Sequence, residues 1–152
     1  MNLVLFGPPG AGKGTQAQSV CQNYGLGHLA TGNLFRAHIS NETPLGLQVK
    51  SILDAGELVP DSVVLDMVKE EIQKDDFKHG IVFDGFPRTV AQAEGLEEAL
   101  QNIGLSIDAF IMLDVPEDML VQRLLSRGEG RSDDTEEKIT HRLEVYRKET
   151  SP

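Results

Sequence analysis

Residues 2–15 read Asn-Leu-Val-Leu-Phe-Gly-Pro-Pro-Gly-Ala-Gly-Lys-Gly-Thr, and the rest of the chain is organised around them. The continuous apolar run at 3–6, stopped by glycine and proline, is typical of a buried parallel strand. The glycines of the loop 7–12 allow positive φ angles and a close approach of the backbone to a ligand. A helix is predicted from Lys13 to about Tyr24. Because its unpaired N–H groups and the positive end of its dipole face the loop, this stretch predicts an anion site.

The glycine-rich loop matches the phosphate-loop (P-loop) pattern. Gly7, Gly12 and Lys13 have the required spacing, and the lysine of this pattern neutralises the β/γ-phosphates of a nucleotide. The next position usually carries a hydroxyl for Mg²⁺, but here it is Gly14, and the hydroxyl follows one residue later at Thr15. We therefore expect a nucleotide site in which Mg²⁺ is held less directly than in most P-loop proteins.

Composition excludes several classes of function. The 152 residues fit one domain with a substantial core. The formal net charge of −10 argues against a nucleic-acid partner, because a phosphate backbone needs a basic face. Cys21 is the single cysteine, so we expect no disulfide framework and no structural zinc, and we interpret it as a small buried hydrophobe. Without an apolar run of membrane-spanning length or a basic leader, a cytoplasmic protein is expected.

Strands and helices are predicted to alternate along the whole chain. Apolar runs predict further strands at 28–30, 81–83 and 108–113, and helical spacing with cap signals predicts helices at about 31–39, 44–54, from 61 onward, 89–102, 116–127 and 134–148. This alternation predicts an α/β fold, a parallel sheet covered by helices on both faces.

Four smaller structural predictions concern individual residues. The Thr31 hydroxyl is predicted to cap the helix that it opens. The charge-dense run 69–78 is interpreted as a solvated helix end. Leu96, Leu100 and Ile103 are expected to form a core stripe. The four histidines lack the spacing of metal ligands, and we assign them no role.

Charged and polar residues follow the predicted strands. Lys13 follows the first strand, Thr31 and Arg36 follow the second, and Asp84 and Arg88 follow the third. Because ligands of such sheets bind beyond the carboxyl ends of the strands, these side chains are expected to meet in one site.

Three motifs in this order resemble those of the adenylate kinase family: residues 7–15, Thr31-Gly-Asn-Leu-Phe-Arg36 and Asp84-Gly-Phe-Pro-Arg-Thr89. Arg123-x-x-x-Arg127, Arg131-x-Asp-Asp134 and Arg142-Leu143 complete the set, so the resemblance covers the whole chain. It implies a three-layer P-loop α/β core (1–29, 60–126 and 134–152), an inserted helical AMP-binding segment at 30–59 and a short lid at 127–133. It also implies a further strand and helix after the segment that resembles 146–152.

The resemblance implies Mg²⁺-dependent phosphoryl transfer from ATP to AMP, giving two ADP, by a monomer. The implied ATP-binding residues are Gly10, Ala11, Gly12, Lys13, Gly14, Thr15, Arg123 and Arg127. The implied AMP-binding residues are Thr31, Gly32, Arg36, Glu57, Leu58, Val59, Gly85, Phe86, Pro87, Arg88, Gln92, Arg131 and Arg142, with Thr31 and Gln92 on the adenine. The implied catalytic residues are Lys13, Asp84, Arg88, Arg123, Arg131 and Arg142, with Asp84 organising Mg²⁺ through its waters.

Simpler interpretations and other functions stay open at this point. Taken singly, the arginines are solvated surface charges, and Asp84 and the Asp133-Asp134 pair are helix caps. A UMP or CMP kinase and a truncated nucleotide-binding fragment with little turnover are the alternative functions. A switch-type NTPase fits poorly, because such a protein has no need of the second phosphate clamp at Arg36 and Arg88. No general base is required, since the phosphate oxygen that attacks is already an anion.

Overall fold

The computed structural model describes residues 1–126 and 136–150, apart from the side chains of residues 126, 136, 137 and 149. The strands are β1 (Asn2–Phe6), β2 (Gly27–Ala30), β3 (Ile81–Asp84) and β4 (Ala109–Met112). The helices are α1 (Lys13–Tyr24), α2 (Thr31–Ser40), α3 (Pro44–Asp54), α4 (Asp61–Glu71), α5 (Val90–Gln101), α6 (Glu117–Ser126) and α7 (Glu136–Val145). A 3₁₀ turn (Asp75–Phe77) and a π-helical turn (Tyr146–Thr150) complete them. None of the helices within these two ranges has the length and apolar character of a membrane span.

The four strands form one parallel sheet in the order β2-β3-β1-β4. Successive residues of β1 face opposite layers, as a strand requires. Leu3 and Leu5 pack with Ala17 of α1, whereas Val4 packs in a larger cluster with residues of α4 and α5. Helices therefore cover both faces of the sheet, and the predicted α/β fold is confirmed.

A separate apolar cluster joins α6 and α7 to the glycine-rich loop. Leu120 and Leu124 of α6 pack with Ile139 and Leu143 of α7 and with Ala11 of the loop. All five side chains are buried. This cluster fixes the phosphate loop at Ala11 against two helices that come late in the chain.

The amino ends of three strands are joined by the buried residue Asn2. Its backbone N–H donates to Asp108 Oδ2 at 2.7 Å, and its side-chain amide donates to Ser106 O at 3.0 Å. Its Oδ1 accepts from the N–H of Ile81 at 3.2 Å. The end of the sheet opposite the predicted ligand site is thus held together by the side chain and the backbone N–H of one residue.

Strand β4 lies at an edge of the sheet, with β1 as its neighbour. Its apolar side chains are exposed, with Phe110 at 69%, Ile111 at 38% and Met112 at 61% of their full accessible surface. The strand therefore presents unpaired backbone groups and apolar surface along the same edge.

Helices α2 and α3 form a tight pair. A Cβ atom built on Gly46 would come within 2.1 Å of His38 O, so only glycine permits this approach. Thr43 caps α3 by accepting from the N–H of Gly46 at 3.0 Å, and its Oγ1 lies 2.9 Å from His38 Nδ1. The pair is locked at the turn between the helices.

Thr31 does not cap its helix, and that prediction is wrong. Ala30 occupies the cap position without a side-chain bond, and Thr31 is the first helical residue. The Thr31 hydroxyl instead donates to Gly85 O at 3.2 Å. The reason is tertiary, because the parallel pairing of β2 with β3 brings the carbonyl that follows β3 beside the start of α2.

Two further structural predictions need correction. Helix α4 ends at Glu71, and the run 69–78 contains the buried residues Ile72 and Phe77. Phe77 packs against Gly27, where a Cβ would lie 2.4 Å from its ring. Ile103 is 42% exposed because α5 ends at Gln101, so it does not extend the core stripe. Cys21 is half-buried against the smaller α1 cluster, which agrees in part with its interpretation as a core hydrophobe.

Candidate active site

A cavity of about 760 Å³ opens at the carboxyl ends of β1, β2 and β3. Its walls carry side chains from each of the loops that follow these strands. The charged side chains among the described residues that line it are Lys13, Arg36, Asp84, Arg88, Arg123 and Arg142. The prediction that the residues after the first three strands meet in one place is confirmed for Lys13, Arg36, Asp84 and Arg88.

The phosphate loop has an open helix start. Gly12, with φ of 92°, occupies the cap position of α1, and no side-chain bond caps the helix within the described residues. Lys13 Nζ donates to the carbonyls of Gly7 at 2.9 Å and Pro8 at 3.2 Å, which folds the side chain back over the loop. Gly10 is required here, because its φ is 84° and a Cβ would lie 3.1 Å from Leu120 O. An uncapped helix start and an ammonium group thus lie at the same loop, which is an arrangement that suits an anion.

Asp84 lies at the end of β3, next to the start of α1. Its side chain is 12% exposed, and its Oδ2 is 2.9 Å from His28 Nε2. A Cβ built on Gly14 would be 3.9 Å from the same oxygen. The carboxylate therefore adjoins the P-loop position that usually carries the metal-binding hydroxyl.

The donor set at Asp84 fits Mg²⁺ that is bound mainly through water and phosphate. Mg²⁺ commonly uses one or two carboxylates together with substrate phosphates and keeps several waters. Among the described residues, no group of three or more His, Cys, Asp or Glu side chains could hold a metal by itself. Asp84 and Thr15, which both line the cavity, would hold the ion only together with a nucleotide.

His28 is a site residue that the sequence reasoning missed. It was assigned no role because the histidines have no ligand spacing. Its contact with Asp84 depends on β2 lying beside β3, with Ala30 opposite Asp84 in the register. The available signal was a histidine two residues before the end of a strand in a parallel sheet.

Arg88 is held in place by one backbone carbonyl and one side chain. Its Nε donates to Gly85 O at 2.6 Å, the same carbonyl that accepts from Thr31 Oγ1. The backbone N–H of Arg88 donates to Gln92 Oε1 at 2.8 Å. The second arginine of this region, Arg36, reaches back to Asn33 Oδ1 at the start of α2, and both residues line the cavity.

Gln92 lies behind the cavity wall. It is 2% exposed, and its Nε2 donates to Asp61 Oδ1 at 3.0 Å, an oxygen that also accepts from Thr89 Oγ1. The side-chain carbonyl of Gln92 accepts from the backbone N–H of Arg88, so both ends of the side-chain amide have a hydrogen-bond partner. Gln92 and Thr31 are not among the described residues that line the cavity. They contact Arg88 and the carbonyl of Gly85 instead.

The remaining predicted residues divide into three groups. Those that line the cavity are Gly10, Gly12, Gly14, Thr15, Gly32, Leu58, Gly85, Phe86, Pro87, Arg123 and Arg142. Ala11, Glu57 and Val59 lie in the same loops but outside the described lining. Arg127, Arg131, the lid 127–133 and the Asp133-Asp134 pair lie outside the described residues.

Tyr146 is a second lining residue that was missed. Its ring lies 6.4 Å from that of Phe6, measured between centroids, and its buried Oη has no hydrogen-bond partner among the described residues. Burial raises the pKa of the Tyr146 hydroxyl, and the carboxylate of Asp114 raises it further. Burial also raises the pKa of the Cys21 thiol, with a smaller effect from Asp84.

Comparison with known proteins agrees with this geometry. The family model described as Adenylate kinase matches residues 5–152. The chain is similar to adenylate kinase of Corynebacterium aurimucosum, with 53% identity over 152 residues that cover all of this chain and 83% of that protein. It is 46% identical over 181 residues to adenylate kinase of Bacillus subtilis, again over all of this chain and 83% of the relative. The corresponding protein of Clostridium tetani is 42% identical over 181 residues, with 84% of its length covered.

Proposed function

The chain belongs to the adenylate kinase family, and we propose that it transfers the γ-phosphoryl group of ATP reversibly to AMP, giving two ADP. The observation that carries this proposal is that one cavity is lined by two groups of cations, each suited to bind a phosphate, which we call the phosphate grips. The P-loop with Lys13 forms one grip, and Arg36 with Arg88 forms the other. An NTPase that hydrolyses a single nucleotide needs only the first grip.

The two grips are supported by sheet topology. β1 and β3 are hydrogen-bonded neighbours with Leu5 opposite Asp84, so the loops that follow them begin side by side. Neighbouring strands lie about 4.8 Å apart, which is comparable with the size of a phosphate group. The chain has a net charge of −10, yet its described residues alone place five cationic side chains around this cavity. That concentration suits two nucleotides with several negative charges between them.

On the ATP side, the amides of residues 10–15 and Lys13 bind the phosphates, and Arg123 and Arg127 add charge. Mg²⁺ bound with the nucleotide supplies further neutralisation of the phosphate oxygens. Asp84 would hold that ion through its waters, and His28 fixes the carboxylate by contacting Oδ2.

On the AMP side, Arg36 and Arg88 bind the phosphate with their planar guanidinium groups. Leu58 lines the cavity, and we assign the nucleoside to the backbone of 57–59 and the adenine to Thr31 and Gln92, which lie outside the described lining in this structure. We propose that 30–59 is the AMP-binding segment and that 127–133 is the lid, which brings Arg131 to the transferring group together with Arg142. We further propose that the protein is a monomer and has no nucleic-acid partner.

The chain needs to supply positioning rather than covalent chemistry. The AMP phosphate oxygen attacks as an anion, so no side chain has to remove a proton. In-line placement of the two nucleotides and cations around the transferring group lower the barrier. This accounts for a cavity in which arginine and lysine predominate over histidine.

The test is ADP formation from ATP, AMP and Mg²⁺, with ATP alone, ATP with CMP and ATP with UMP as comparisons. We expect turnover that depends on AMP, and a loss of about 10³-fold or more in Arg88→Ala. Arg147→Ala is the matched control, because Arg147 is exposed and pairs with Glu117 on the surface. Preferred turnover with CMP or UMP would replace the proposal by a pyrimidine kinase. ATP binding without any turnover would reduce it to a nucleotide-binding fragment.

A further inference from the structure

Helix α7 is joined to the loop after α3 by a side-chain hydrogen bond that lies outside the phosphate grips. His141 Nε2 lies 2.5 Å from Glu57 Oε1, and the side chains are 40% and 51% exposed. The other ring nitrogen, Nδ1, is 4.0 Å from Glu144 Oε2 on the same helix. The pair joins residues 84 positions apart in the sequence.

The backbone of the loop is packed closely against α7 at this point. Gly56 has φ of 75°, and a Cβ there would come within 2.8 Å of Arg142 Cγ and 3.6 Å of His141 Cδ2. Glycine is needed both for the left-handed conformation and for the close approach. We call this packing of Gly56 against His141 and Arg142 the seam. The Glu57–His141 contact lies beside the seam and is therefore not an isolated surface pair.

Both sides of the seam continue into the cavity. Gly56 and Leu58, the neighbours of Glu57, line the cavity on the loop side, and Arg142, the neighbour of His141, lines it on the helix side. The packing of the loop on α7 consequently sets the distance between the cavity wall at Gly56 and Leu58 and the Arg142 guanidinium.

We propose that Glu57 and His141 are positioning residues that latch the loop 55–59 to α7 and thereby place the AMP pocket against Arg142. The inference rests on the proposed function, in which this loop borders AMP and Arg142 reaches the transferring phosphoryl group. The Glu57 carboxylate acts through the loop and the His141 ring acts through its helix, so neither side chain has to touch a nucleotide.

The test compares the wild type with Glu57→Ala, His141→Ala and the double variant. Because both side chains are partly exposed, each single change is expected to raise the KM for AMP about two- to five-fold. The KM for ATP should stay unchanged. The double variant should raise the KM for AMP no further than the more strongly affected single variant does, because the same contact is lost in all three. His141→Gln keeps an N–H donor for Glu57 and should restore most of the AMP affinity.

The controls are His79→Ala and Glu97→Ala, which change exposed residues away from the seam. Calorimetric binding of AMP without ATP separates the latch from the reaction. Weaker AMP binding in both single variants of a protein that turns nothing over would support the latch and reject the proposed reaction. Normal turnover with unchanged AMP affinity, or additive losses in the double variant, would reject the latch and keep the reaction. A wild type that does not bind AMP would reject both.

Discussion

Strands β3 and β4 lie on either side of β1, and the sequences Ile-Val-Phe-Asp and Ala-Phe-Ile-Met give them similar apolar character. Their surroundings differ completely. Phe83 of β3 is 0% exposed, whereas Phe110 of β4 is 69% exposed. β3 has β2 as its outer neighbour, while β4 is an edge strand.

The difference between the strands teaches that position in the sheet, more than composition, determines what a strand contributes. β3 is covered on both faces and delivers Asp84 and Arg88 into the cavity. β4 also ends next to an aspartate, Asp114, but that residue is exposed and does not line the described cavity wall. Matched substitutions on the two strands therefore test the comparison directly.

The largest difference is expected between Phe83→Ala and Phe110→Ala. Removing the buried ring should lower the free energy of unfolding by about 3–5 kcal/mol, because lost burial and a cavity add together. Removing the exposed ring should change it by less than about 0.5 kcal/mol. Urea denaturation measures both. Equal losses would mean that β4 is buried in solution.

The next difference concerns the two aspartates. Asp84→Asn should lower turnover about 10- to 100-fold and raise the Mg²⁺ concentration needed, since the carboxylate would no longer organise the ion's waters. Asp114→Asn should leave turnover within about twofold. Steady-state rates over a Mg²⁺ titration decide between them, and equal effects would remove the special role assigned to the end of β3.

The smallest effect is expected at Tyr146, whose pKa is raised above 10.0 by burial and by Asp114. The folded state holds this proton more tightly, so the stability it contributes is present below the ordinary pKa and is lost as pH rises above it. Tyr146→Phe should therefore flatten the alkaline fall in stability without loss at neutral pH, because Oη has no partner among the described residues. Thermal melts between about pH 8 and 11 test this.

Tyr24→Phe is the control for this last experiment, because Tyr24 is 67% exposed. Its alkaline melting curve should match that of the wild type. An alkaline fall that is as steep in Tyr146→Phe as in the wild type would show that other groups cause it.

The sequence predicted the elements and the main cations of the site, because both depend on local patterns. Apolar runs located the strands, and the rule for the carboxyl ends of parallel strands grouped Lys13, Arg36, Asp84 and Arg88. Prediction from the sequence failed where the order of the strands determines which residue a side chain contacts. The His28–Asp84 contact and the Thr31 bond to Gly85 O both require β2 beside β3, and no spacing within the sequence encodes that neighbour.

Burial beyond the end of a helix was the second source of error. Ile103 continues the helical spacing of Leu96 and Leu100, but α5 stops at Gln101 and the side chain turns outward. The adenine contact assigned to Gln92 stays a prediction, and in this structure the side-chain amide of Gln92 contacts Arg88 and Asp61 inside the wall. A polar residue that supports a site cannot be told from one that faces it by sequence alone.

The central place of β1 has a consequence for synthesis on the ribosome. The first strand to emerge can be fully paired only when β3 and β4 are available, and Asn2 finds its partners at Ile81, Ser106 and Asp108. At about 5–20 residues per second, the apolar run of β1 waits about 5–20 s for the last of these segments. During this interval the nascent chain exposes an unpaired hydrophobic strand, so it needs protection mostly until the residues of β4 have emerged.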